Sequence, residues 1–154
     1  MKDKIKKKSL NLCVLGLGYI GLPLSLAFAE KGWKVVGYDI DYTKIEKLTS
    51  KISTLRSIEN VRIKDAIEKY SIKFTSLEKD IKECKIYIIC VPTPLGGHKE
   101  PNLDLVRKAI NTVSKYLKED DVICLESTTY PGTTEEIFDY YVSPKGYKAG
   151  KDVF

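Results

Sequence analysis

The chain has 154 residues, a formal net charge of +5, four cysteines and one histidine. That is one domain's length, long enough to bury about two-thirds of its unfolded surface. It holds no apolar run of about 18 residues and no signal peptide, so a soluble, cytoplasmic protein without a membrane partner is expected. The charge is no argument for nucleic acid. Residues 1–8 hold five lysines and one aspartate, a basic tail, which leaves a net charge of +1 for residues 9–154.

Leu12-Cys13-Val14-Leu15 reads as a buried strand that runs into Gly16-Leu17-Gly18-Tyr19-Ile20-Gly21. Ile20, Leu24, Ala27 and Phe28 then recur at i, i+4, i+7 and i+8, the spacing of one face of a helix. A second strand, Val35-Val36-Gly37-Tyr38, ends at Asp39, 18 positions after the last glycine. Strand, G-x-G-x-x-G, helix and a distant acid together read as a dinucleotide-binding fingerprint. Gly16 lets the chain turn sharply, Gly18 lets backbone approach a pyrophosphate, and Gly21 lets the helix pack on the sheet. The helix N-terminus suits an anion, and Pro23 sits in the first turn, where a missing N–H costs little. Asp39 would accept from the adenosine ribose hydroxyls and repel a 2′-phosphate, which favours NAD over NADP. The plainer alternative is a strand–turn–helix with no ligand.

Thr43–Ser50 is expected to be a short helix, followed by a charged, less regular stretch from Lys51 to Lys69 with helical character. Ser71–Thr75 reads as a strand, Leu77–Glu83 as a short helical crossover, and Ile86–Val91 as a strand apolar enough to need cover on both faces. A loop rich in Pro and Gly spans Pro92–Pro101. Leu103, Val106, Ile110, Val113 and Leu117 make a helical stripe, and Asp121–Leu125 reads as another buried strand. Thr133 and Glu136 have capping-box spacing and announce a helix through Tyr141. The alternation predicts an α/β fold, a Rossmann-type doubly wound parallel sheet with helices on both faces.

Two segments at strand ends carry further chemistry. In Val91-Pro92-Thr93-Pro94 the prolines stiffen the exit from a strand and can hold the Thr93 hydroxyl against a ligand; a merely rigid loop is the other reading. In Glu126-Ser127-Thr128-Thr129-Tyr130-Pro131-Gly132-Thr133-Thr134 three consecutive hydroxyl residues could bond a nicotinamide ribose, a substrate or a positioned water. Turn and capping chemistry is the plainer account there. Cys13, Cys84, Cys90 and Cys124 lie in or beside apolar runs and form no C-x-x-C pair, and His98 offers no zinc spacing, so no metal site is expected and the cysteines read as buried hydrophobes.

GLGYIGLPLS, VPTP, EPNL and LESTTYPGTTEE, in this order, resemble the N-terminal domain of the UDP-glucose/GDP-mannose dehydrogenase family over residues 9–142. Within it the wording of the last motif and of KFTS…IKECKIYIICVPTPL is nearest to the UDP-N-acetylglucosamine 6-dehydrogenases of bacterial polysaccharide synthesis. UDP-N-acetylmannosamine and UDP-glucose enzymes remain alternatives.

The resemblance implies NAD as cofactor and a UDP-sugar as substrate, whose C6 alcohol is oxidised to a carboxylate with two NAD. Gly16, Gly18 and Gly21 match the pyrophosphate turn, with backbone contacts from Tyr19 and Ile20. Asp39 matches the ribose-binding acid, and Lys44 a basic position that also reaches the adenosine end. Val91 to Leu95 match the loop lining the cofactor, with Thr93 as its hydroxyl and Val91 and Pro92 beside it. Ser127 and Thr128 match the motif beside the nicotinamide, where the threonine helps position a catalytic water. Asn102 departs from the family's usual Asp, and a capping role there survives the change. The family's reaction runs through a cysteine thioester, and that cysteine matches none of the four here. A truncated N-terminal part of a longer, homodimeric enzyme, inactive alone, is therefore expected. A free-standing NAD-sensing module and a methyl-donor-binding domain are the other classes the glycine turn admits.

Overall fold

The computed structural model describes residues 8–96 and 100–154; residues 1–7 of the basic tail and His98 lie outside them. Five parallel strands form one sheet: β1 (Asn11–Leu15), β2 (Lys34–Tyr38), β3 (Ile72–Thr75), β4 (Ile86–Ile89) and β5 (Val122–Leu125), in the order β3-β2-β1-β4-β5. Helices α1 (Gly21–Glu30), α2 (Tyr42–Thr49), α3 (Asn60–Glu68), α4 (Asp104–Ser114) and α5 (Thr133–Tyr141) connect or follow the strands. The strand order reverses at β1, whose neighbours are β2 on one side and β4 on the other. Such a switch point opens a crevice at the C-terminal strand ends.

Alternation along each strand divides the core between the two faces of the sheet. Leu12 and Val14 of β1 pack with Leu22, Leu26 and Ala29 of α1 and with Ile63 of α3. Cys13 and Leu15 face the other way, into a layer that holds Tyr87 and Ile89 of β4 with Ile110 and Val113 of α4. Each fully buried leucine contributes roughly 1.5–3 kcal/mol. Tyr87, wholly buried, spends its hydroxyl on the carbonyls of Ile81 and Cys84, at 3.2 and 3.0 Å.

Four expectations change. The helix after the glycines forms, but it buries Gly21, Leu22, Ser25, Leu26 and Ala29, while Ile20 and Ala27 face outward and Leu24 and Phe28 pack only at the edge. GLPLSLAFAE is apolar nearly all round, so two stripes fit the sequence. Small residues decide between them, because Ser25 turns its hydroxyl back to the Gly21 carbonyl at 2.7 Å and lets the helix lie close to the sheet. The stretch from Lys51 to Lys69 is helical only from Asn60. β5 is half-buried rather than buried; on its outer side, among the described residues, it meets the Asp121–Val153 bridge and the bonds to Phe154.

The capping box at Thr133 does not form either. Gly132 (φ +89°) takes the cap position, Thr133 Oγ1 donates to the Tyr130 carbonyl at 2.7 Å, and Glu136 accepts from the Tyr130 hydroxyl at 2.7 Å. At α4 the cap position is Leu103, without a side-chain cap bond; Asn102, one residue before it, accepts the Asp104 N–H on Oδ1 at 2.8 Å.

Candidate functional site

A cleft of about 830 Å³ lies at the C-terminal ends of β1, β2, β4 and β5. Its floor is the turn Gly16–Ile20. Gly16 has φ +91°, and a Cβ there would stand 2.9 Å from the Cys90 carbonyl oxygen. Gly21 does not line the cleft; it seats the helix, for a Cβ on it would lie 1.8 Å from the Gly16 carbonyl oxygen. Around Gly18 the space is open, with nothing within 4 Å of where a Cβ would be. No side chain caps the N-terminus of α1; Leu22 and Leu24 N–H bond back to the Gly18 and Ile20 carbonyls at 3.1 Å and Pro23 has no N–H, so the N–H groups left for a ligand among the described residues are those of the turn, Gly18 to Gly21. Tyr19 and Ile20 line the cleft and are 86% and 57% exposed.

On the β2 side Asp39 is only 6% exposed. Its Oδ2 accepts the Leu17 N–H at 2.8 Å and Lys44 Nζ at 2.6 Å, and its Oδ1 accepts the Asp41 N–H at 3.0 Å. The acid therefore braces the glycine turn from below while it faces the cleft. Lys44 is carried in on the first turn of α2, which Asp41 caps through the Lys44 N–H at 3.1 Å.

On the other side the two loop motifs are bonded to each other. Thr93 Oγ1 donates to the Thr128 carbonyl at 2.7 Å, and Ser127 Oγ donates to the Val91 carbonyl at 2.7 Å. Both hydroxyls have given up their proton and can only accept from a ligand. The Thr128 hydroxyl makes no hydrogen bond among the described residues and lies exposed at the cleft. Val91 and Pro92 complete this wall. Cys90 also lines the cleft, but burial pushes its thiol up to about 12, and burial with the Glu126 carboxylate pushes Cys124 to about 11. Neither is a thiolate at neutral pH.

Glu78, Thr112 and Lys115 line the cleft too, and the motifs do not reveal them. Glu78 Oε2 accepts from Lys115 Nζ at 2.8 Å and Oε1 from Thr112 Oγ1 at 3.3 Å. Lys115 holds the Glu78 carboxyl below the usual carboxylate range. Thr112 and Lys115 belong to the helical stretch after Leu103, and Glu78 to the 3₁₀ turn Glu78–Ile81, where no motif singles it out.

An open slot at Gly18, an uncapped helix end and a buried acid on β2 fit a dinucleotide's pyrophosphate and ribose. Residues 10–153 match the model of the NAD binding domain of the UDP-glucose/GDP-mannose dehydrogenase family. The chain belongs to that family. NAD is accordingly the cofactor of this domain.

Family relatives include the UDP-N-acetyl-D-glucosamine 6-dehydrogenase of Pseudomonas aeruginosa, 40% identical over 84% of this chain and 30% of that protein. The UDP-N-acetyl-D-mannosamine dehydrogenase of Pyrococcus horikoshii is 37% identical over 94% of this chain and 35% of its own length. A solved structure of the Pyrococcus horikoshii UDP-D-ManNAc dehydrogenase superposes with a TM-score of 0.87 over 94% of this chain and 34% of that one. The chain thus spans about a third of the length of the family members it matches.

Proposed function

We propose that this chain is the cofactor-binding part of an NAD-dependent dehydrogenase that oxidises the C6 alcohol of a UDP-sugar to the carboxylate with two NAD. UDP-N-acetylglucosamine is the favoured sugar, in keeping with the 40% identity to the Pseudomonas aeruginosa enzyme. In this reading residues 9–154 are the NAD domain, residues 1–8 a basic tail, and the working enzyme a cytoplasmic homodimer in polysaccharide synthesis. The other two-thirds of an enzyme of this family's length supplies the cysteine nucleophile and the sugar-nucleotide site.

The observation that carries the proposal is the joined pair of loops at β4 and β5. NAD supplies a hydride acceptor there when bound. Gly16, Gly18, Tyr19, Ile20 and Gly21 form and seat the turn for its pyrophosphate, and Asp39 and Lys44 hold the adenosine ribose. Val91, Pro92, Thr93 and Ser127 wall the nicotinamide half, their bonded hydroxyls accepting from its polar groups. The Thr128 hydroxyl, with its proton uncommitted, holds a water beside the reacting carbon.

Calorimetry of the chain with NAD, NADP and S-adenosylmethionine tests the cofactor half. NAD is expected to bind, NADP more weakly, and the methyl donor not at all. For the sugar, whose site lies outside this chain in this reading, NADH formation by the full-length enzyme that carries this domain is followed with each UDP-sugar. Turnover with UDP-glucose alone would overturn the N-acetylhexosamine assignment. UDP-N-acetylmannosamine is the second reading, favoured by the TM-score of 0.87 to the Pyrococcus horikoshii structure.

A further inference from the structure

The cleft extends beyond the ribose acid to a charged pair that no motif assigns. β2 and β3 lie on one side of β1, so the groups that follow them belong to the adenosine half of the crevice. Asp39 follows β2. Glu78 follows β3 by three residues, at the start of the 3₁₀ turn Glu78–Ile81, one strand further out on the same side. Both line the same cleft. The group next outward from the adenosine ribose is the base.

We propose that Glu78, with Lys115, reads the 6-amino edge of the adenine ring. Tyr38, Ile40 and Ala109 line the same cleft as Asp39 and Glu78, and they offer apolar surface fit for a flat ring. Ile40, 72% exposed, lies at the mouth of the cleft, where a base would cover it. The Glu78 carboxylate is anchored across the cleft to α4 by Thr112 and Lys115, which fixes its position. Each of its oxygens has accepted one bond and can accept another. Adenine carries a donor amino group flanked by ring-nitrogen acceptors. A carboxylate that accepts from the amino group, beside an ammonium that donates to a ring nitrogen, complements that edge. A base with an oxo group at the same carbon puts an acceptor against the carboxylate instead.

The proposal rests on the cleft being the NAD site, and the test separates the two. Calorimetry compares NAD with nicotinamide hypoxanthine dinucleotide, which carries an oxo group in place of the amino group. The wild-type chain is expected to bind NAD about tenfold more tightly, the effect of one misplaced polar contact at a partly exposed site. Glu78→Gln keeps an acceptor for Thr112 and adds an amide donor that can meet the oxo group. It should bring the ratio near one, chiefly by tightening the hypoxanthine dinucleotide, with only the small fall in thermal midpoint that loss of an exposed ion pair brings. Lys115→Met should shrink the ratio less. Equal binding of the two dinucleotides by the wild-type chain overturns the assignment of Glu78 while the cofactor site stands. So does a tenfold ratio that survives Glu78→Gln. Failure of the wild-type chain to bind NAD overturns both.

Discussion

Lys44 Nζ sits 2.6 Å from Asp39 Oδ2, the same oxygen that accepts the Leu17 N–H from the glycine turn at 2.8 Å. With the Asp41 N–H on Oδ1, three of the roughly four acceptor positions of this carboxylate are taken within the chain. A ribose diol needs two, so Lys44 has to yield or share when the cofactor arrives. Asp39→Asn should weaken NAD binding about 10- to 100-fold, a loss of about 1.4–2.8 kcal/mol. It also frees the ammonium for a 2′-phosphate, so NADP binding should improve. Adding Lys44→Met should abolish that gain. Calorimetry with both cofactors checks it, and NADP binding that stays equal in the single and double variants would remove Lys44 from the explanation.

The three fingerprint glycines should fail in different ways. Gly21→Ala forces a Cβ to 1.8 Å from the Gly16 carbonyl oxygen, so the turn or the helix has to move. A loss of several kcal/mol, about the 1–3 of an overpacked core or more, should appear as a lowered thermal midpoint. Gly18→Ala meets nothing within 4 Å and should leave the midpoint in place while NAD binding falls. An equal loss of stability in both variants would show that Gly18 is there for folding and not for a ligand.

Thr93→Val removes the 2.7 Å bond to the Thr128 carbonyl and nothing else of comparable strength. About 1 kcal/mol of stability should go with it. NAD affinity should drop by a similar amount, because the loop that walls the nicotinamide half is no longer tied to its neighbour. Ser127→Ala, which cuts the bond to the Val91 carbonyl, should add to the first loss less than independently, since both bonds hold the same pair of loops. A double-mutant cycle on the melting midpoints reads the coupling.

Acid should weaken the fold. Glu78, Asp80 and Glu30 are each held below the ordinary carboxylate range, by Lys115, by Thr75 with Lys73, and by Arg62. Below about pH 4.5 the unfolded chain takes up protons before the folded one, so stability falls as the pH drops through the lowered folded values. Asp121 has the opposite sign. Burial raises its pKa despite Lys85 Nζ at 2.7 Å, so its share of the stability is lost as pH rises through the raised value. With Glu68, lowered by Lys51, four lowered carboxylates against one raised set the direction. Thermal midpoints measured across the acid range should decline, and Glu78→Gln should flatten part of the slope.

Much of this was legible in the residues because glycines and acids at fixed offsets leave little freedom. The turn at Gly16, the second strand ending at Asp39 and the two loops at Thr93 and Thr128 all follow from local chemistry, and they meet at one sheet edge. The buried face of α1 was not legible, since nearly every side chain of GLPLSLAFAE is apolar and only contact with the sheet selects Leu22, Leu26 and Ala29. Nor was the half-exposure of β5, which depends on its place at the rim of the sheet. Glu78 and Lys115 stand 37 residues apart, and only the packing of the 3₁₀ turn beside α4 brings them together.

The two ends of the cleft are fastened by different physics. On the β4 and β5 side hydroxyls bond to carbonyls, Thr93 to Thr128 and Ser127 to Val91. On the β2 and β3 side ammonium groups face carboxylates, Lys44 with Asp39 and Lys115 with Glu78. Dissolved salt screens the second kind of contact, the exposed Lys115–Glu78 pair far more than the buried Asp39 pair, and leaves the first nearly untouched. Ionic strength thus acts as a selective solvent for one jaw of the crevice, loosening the grip around the adenosine while the nicotinamide wall keeps its shape.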